Sequence, residues 1–203
     1  MVTLWRRFRR DERGISLTEA LIVTPIVILM FAAFVELGFL VFQWSQATKA
    51  VQIGARLLAV SDPLPSDMSS LTADYGALGE QEAVPGTIVT VACGAGAAAC
   101  DATRMARLIS GSDASCDYVA GTTLGMCDVF PRITAGNVLV SYRRAGLGYV
   151  GRPSGPVVSI TVELRNLNFE FLLLGRLLAL ATDTISIPAH PVTMTSEDMR
   201  SSL

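Results

Sequence analysis

Four cysteines, one histidine, a glycine triplet and two carboxylates inside an apolar run are the residues of this chain whose types and spacing could do chemistry. Cys93, Cys100, Cys116 and Cys127 are separated by six, fifteen and ten residues. That is not the paired C-x-x-C spacing of a structural zinc site or of a thiol oxidoreductase, and no histidine lies nearby. The one histidine, His190, stands between Ala189 and Pro191 with no nucleophile motif to serve, and reads as a structural or surface residue. Gly146, Gly148 and Gly151 spell G-x-G-x-x-G. A dinucleotide site needs a helix directly after such a triplet, to meet the phosphates; here Arg152-Pro153-Ser154-Gly155-Pro156 follows. The triplet therefore reads as a connection between strands. These tests point to no catalytic residue, no metal and no cofactor.

The two carboxylates pose a different question. Glu19 and Glu36 belong to an otherwise oily stretch, where an ionised group is costly and marks a function. Glu19 is five residues after Gly14, with Ile15-Ser16-Leu17-Thr18 between. A cut after Gly14 would give Ile15 a new α-amine at the membrane surface, and Glu19 stands where it could pair with that charge. Glu36 lies six residues before Phe42, the last residue of the run, or about 9 Å along a helix. It needs a partner there. A second helix is the expected one, with Gly38 permitting close approach; a lone carboxylate reaching back to the surface is the alternative.

The element that must position both is a membrane helix. Ala20 to Phe42 contain a single ionisable group, Glu36, and at about 1.5 Å per residue these 23 residues span about 34 Å, enough for a hydrocarbon core of about 30 Å. Five arginines precede the run within residues 1–14, whereas only Lys49 and Arg56 follow closely. By the positive-inside tendency the head is cytoplasmic and the rest is outside. The run is too long for a secretory signal core and no A-x-A site follows, so it reads as a retained anchor. Charge supports the division: residues 57–203 hold nine arginines against fourteen acids. With overall charge near neutral, nothing in the composition suggests nucleic acid.

Past the span, Trp44, Ala47, Val51, Ala55 and Leu58 form an apolar stripe at helical spacing, with Gln43, Gln46, Lys49, Gln52 and Arg56 opposite. One helix is thus expected from about residue 17 to residue 60, stopped by Ser61-Asp62-Pro63-Leu64-Pro65. The organisation is a basic leader at 1–14, a transmembrane and amphipathic helix at 15–61, and an α+β domain at 62–203. In that domain, strands are expected at Thr87–Ala92, Asn137–Tyr142 and Val158–Leu164, and in the alternating residues Ile185 to Met194. Pro188 and Pro191 push the last to an edge or split it. A short helix at Thr103–Ile109 takes Asp101 or Thr103 as its cap. The fold class is α+β, an antiparallel sheet of three or four strands with one long amino-terminal helix. The apolar segment 169–180 is too short and too charged for a second span; it reads as a core helix or loop, or else as a surface against the bilayer or a partner subunit. All four cysteines fall outside the membrane, where oxidation is permitted, so two disulfides are expected. Neighbour pairing is the simplest of three connectivities, and a nested arrangement would tie the middle loops together better.

The residues Arg9-Arg10-Asp11-Glu12-Arg13-Gly14, Glu19-Ala20, Thr24-Pro25, Glu36-Leu37-Gly38 and Gly54-Ala55-Arg56 resemble, in order and spacing, the amino-terminal signature of TadE-like proteins. These are minor pseudopilins of tight-adherence (Tad) pilus systems. The resemblance implies cleavage between Gly14 and Ile15 by a prepilin peptidase that recognises Glu19. It also implies helix packing or assembly roles for Glu36, Gly38, Gly54 and Arg56. The partners implied are the bacterial inner membrane, the peptidase, other pilus subunits and the assembly platform, with the carboxy-terminal domain periplasmic. Ala20 stands where the major Tad pilin has tyrosine, and the exported part is far larger than that pilin's tail, which favours a minor component of TadE or TadF type. Two other classes are an uncleaved tethered binding or adhesion module, and an anchored thiol oxidoreductase, which the missing C-x-x-C argues against.

Overall fold

The computed structural model describes residues 13–153, 155–172, 184–186, 191–196 and 199, with only the backbone of residues 13–17, 169 and 184–186. His190 and residues 173–180 of the apolar segment lie outside the described residues.

Helix α1, Arg13–Ala59, is continuous through the expected span and the amphipathic stretch after it. Pro25 lies within it. Proline has no N–H to give the Leu21 carbonyl, a loss that membrane helices tolerate where hydroxyls supplement the backbone. Thr24 Oγ1 donates to the Ala20 carbonyl at 2.6 Å. Among the described residues this is the one helix long and apolar enough to cross a membrane, and only 6% of its apolar window is buried. A core helix of a soluble domain would be mostly buried, so α1 fits a single-pass membrane protein.

The described residues form two compact units. The first contains α1 as far as Val41, together with Glu170–Leu172 and Thr184. The second runs from Phe42 to Phe169 and takes in the described residues from Ile185 onward.

In the second unit, the end of α1 contributes Ala47, Ala50, Val51, Ala55 and Leu58 to the core, all buried. The expected stripe is in place at Ala47, Val51, Ala55 and Leu58, and Ala50 and Gln43 widen it. Trp44 is partly exposed, and Gln43, expected on the outer side, is buried instead. Gln43 is four residues before Ala47 and seven before Ala50, so helical geometry places it on the stripe. Its Oε1 accepts from Arg132 Nη1 at 3.2 Å, which satisfies the buried amide.

The sheet has strand order β1-β2-β3-β6, with β1 Val89–Gly94, β2 Val138–Arg144, β3 Ser159–Leu164 and β6 Val192–Thr195. All three pairings are antiparallel, with Cys93 opposite Val140, Val140 opposite Val162, and Val162 opposite Val192. Ile160, Val162 and Leu164 alternate buried with half-buried neighbours, as expected for a strand with one covered face. The last expected strand is both split and at an edge: β5, Thr184–Ser186, pairs with β4, Asn168–Glu170, while β6 closes one side of the main sheet. The short strand β4 opens the apolar segment in place of a helix. Helix α2, Ala102–Ser110, is capped by Asp101, whose carboxylate accepts from the Arg104 N–H at 2.9 Å. A four-residue helix, α3, covers Met126–Val129. Gly146, Gly148 and Gly151 all have positive φ in the loop after β2, a turn conformation and not a phosphate cradle before a helix.

Candidate functional site

Gly14 and Ile15 lie in the first turn of α1. Glu19 is exposed and four residues beyond Ile15, so the two positions share one face of the helix, one turn apart. An amine on Ile15 would therefore be at the level from which Glu19 can be reached, without bending the chain.

Glu36 is the buried charge of the first unit, 2% exposed among apolar neighbours that are open: Phe34, Val35 and Leu37. Its Oε1 accepts from the backbone N–H of Leu172 at 2.5 Å. Among the described residues its hydrogen-bond donor is thus the start of the apolar segment. Sequence carried no signal for this pair, which is 136 residues apart. Gly38 is exposed, with nothing within 4 Å of where a Cβ would stand, so it offers an open notch on α1.

Gly54 behaves otherwise. A Cβ there would lie 2.7 Å from Met126 Sδ, so the absent side chain is what lets α3 approach α1. Arg56 is exposed on the far side of the same turn. The signature glycines thus separate into one used inside the chain and one left open.

The disulfides join neighbours, Cys93 to Cys100 and Cys116 to Cys127. The first closes the turn after β1, where Gly94 takes φ 106° and a Cβ would strike the Val138 carbonyl. The second ties the loop after α2 to α3, with Cys127 fully buried.

Sequence reading missed the charged centre of the second unit. Arg144, the last residue of β2, is 0% exposed, and its Nη1 and Nη2 donate to Asp74 Oδ1 and Oδ2 at 2.5 and 2.6 Å. Nη2 also donates to the Thr87 carbonyl at 3.2 Å, and the guanidinium lies 5.3 Å from the Tyr75 ring centroid. The bidentate bonds from Arg144 hold the Asp74 carboxyl below the usual carboxylate range and raise the arginine in turn. The available signal was its period: Val138, Val140, Tyr142 and Arg144 share one strand face. Tyr142 is buried, its hydroxyl accepts from the Leu64 N–H at 3.1 Å, and burial pushes its pKa to about 12. Such groups are spent on structure, not poised for proton transfer.

A cleft of about 550 Å³ opens between the end of α1 and α2, lined by Leu57, Val60, Leu64, Leu108, Arg104 and Arg107 among others. It presents apolar surface and two guanidinium groups. Among the described residues no three histidine, cysteine or acidic side chains gather as a metal site would require.

No curated protein and no solved structure matches the chain. A family match covers the amino-terminal part alone; the sheet, the buried arginine and both disulfides lie beyond it. Residues 14–56, from the glycine before Ile15 to Arg56, are similar to the family described as TadE-like protein.

Proposed function

We propose that the protein is a non-enzymatic pseudopilin of a Tad-type pilus assembly and export system, held in the inner membrane by α1. Its amino terminus is cytoplasmic and its disulfide-bonded domain periplasmic. A prepilin peptidase cuts after Gly14, and Glu19 belongs to the recognition site and afterwards pairs with the Ile15 amine. The observation that carries this reading is the TadE-like match beginning at Gly14 and coinciding with a helix long and apolar enough to span a membrane. Gly38, open on α1, and Arg56, exposed beyond the span, are the contact points offered to other subunits and to the assembly platform.

Intact mass of the membrane-extracted protein, expressed with and without a prepilin peptidase, tests this. Peptidase-dependent loss of residues 1–14 is the expected result, with the cut abolished in Glu19→Ala. A full-length protein under both conditions would leave an uncleaved tethered binding or adhesion module.

A further inference from the structure

Among the described residues a hydrogen bond joins α1 to the start of the apolar segment, from Leu172 N–H to Glu36 Oε1. Glu36 lies six residues before Phe42, after which Gln43, Ser45, Gln46 and Lys49 end the apolar run. On a helix that is about 9 Å below the outer end of the span, the depth at which monotopic segments seat their apolar residues at the headgroup and acyl-chain boundary. Because the Leu172 N–H is in hydrogen-bond contact with Glu36 Oε1, Leu172 must sit at that same depth. Its side chain is nevertheless 48% exposed, and Phe171 before it is half-buried. On the face of α1 that carries Glu36, Leu29 and Ala33, seven and three residues earlier, are exposed.

We infer that Phe171 and Leu172 form a second membrane contact, in which the chain, having left the bilayer at Phe42, returns to its outer leaflet and is pinned there by Glu36. The occupant of this surface is lipid acyl chain, because the Leu172 side chain is exposed at a depth that the bond to Glu36 sets inside the span. Glu36 has a role that an apolar residue could not fill: a backbone N–H entering hydrocarbon needs an acceptor, and a helix offers none from its own backbone. The carboxylate supplies it. The protein is thereby fixed to the membrane at two places in its sequence.

This rests on α1 spanning a membrane, and the test separates the two. Full-length protein in proteoliposomes carries a single added cysteine, labelled with an environment-sensitive fluorophore, at Leu172, at Phe34 as span control, or at Leu147, an exposed loop residue, as water control. Leu172→Cys keeps the N–H that Glu36 binds. Quenching is read from lipids bearing a nitroxide near the headgroup and from aqueous iodide. The expected result is lipid quenching at Leu172 comparable to that at Phe34, with iodide access about threefold below that at Leu147. Adding Glu36→Leu should raise iodide access at Leu172 while leaving Phe34 lipid-quenched, and Glu36→Gln, which keeps an acceptor oxygen, should not. A lipid-quenched Phe34 with an iodide-accessible Leu172 overturns the inference and leaves the span intact. Shielding of Leu172 from both quenchers means protein covers it, which also overturns the lipid assignment. An unquenched Phe34 overturns the span and the inference together. Full protection at Leu172 in the Glu36→Leu protein overturns the pin.

Discussion

Tyr142 and Arg144 occupy alternate positions on β2, and each spends its polar end on long-range partners: Tyr142 on the Leu64 amide, Arg144 on Asp74 and the Thr87 carbonyl. Tyr142→Phe removes the acceptor for the Leu64 N–H without making room for water, so a loss of about 1–3 kcal/mol is expected in thermal or denaturant unfolding. The tyrosine also has a pH signature. Its folded pKa lies above the ordinary value of 10.0, so it stays neutral while the unfolded chain ionises, and its contribution is lost as pH rises above about 10. Asp74 acts in the opposite direction. Its folded pKa lies below the ordinary carboxylate value of 3.8, so its contribution is present above about pH 4 and is lost as pH falls through the depressed folded value. Melting temperature should therefore drop more steeply on acidification in the native protein than in Asp74→Asn, which begins less stable because it leaves the buried Arg144 short of its carboxylate. Equal slopes in the two proteins would show that the pair does not contribute.

At the scale of elements, the end of α1 and α3 share Gly54. Gly54→Ala places a methyl group against the flexible end of Met126, which can yield; Gly54→Val cannot be accommodated so easily and should cost about 1–3 kcal/mol. A melting curve indistinguishable from the native one for Gly54→Val would mean that α3 is free to move away. The disulfide between Cys116 and Cys127 closes a short loop onto a helix of only four residues, which has little hydrogen bonding of its own to hold it. Replacing both cysteines with serine should lower stability by about 2–4 kcal/mol, read from the unfolding midpoint. Most elements were legible, for stated reasons. The alternation of Ile160, Val162 and Leu164 and the Asp101 cap are local signals, and both appear as expected. Strand ends shifted by a residue or two, as with β1, which starts at Val89 and not at Thr87, because pairing to β2 and not propensity sets where a strand stops. The amphipathic stripe begins at Gln43 and not at Trp44 for a similar reason: an amide looks solvent-facing until a partner such as Arg132 is found for it.

For the whole molecule, the proposed span with a periplasmic domain after it predicts resistance to alkaline carbonate extraction, and digestion of the domain by protease added to spheroplasts. Release into the carbonate supernatant would remove the span. The sequence by itself determined a helix long and apolar enough to cross a membrane, the α+β class, and the likeness of residues 14–56 to the TadE-like family, because each depends on composition or on spacing along the chain. It also left three disulfide connectivities standing. Tertiary structure alone decided that neighbours pair, that Arg144 is buried on Asp74, that Gly54 is filled by Met126, and that Glu36 meets Leu172. Each of these joins residues whose separation along the chain says nothing of their distance in space. Only the fold brings a carboxylate of the first helix and an amide more than a hundred residues later to within one hydrogen bond.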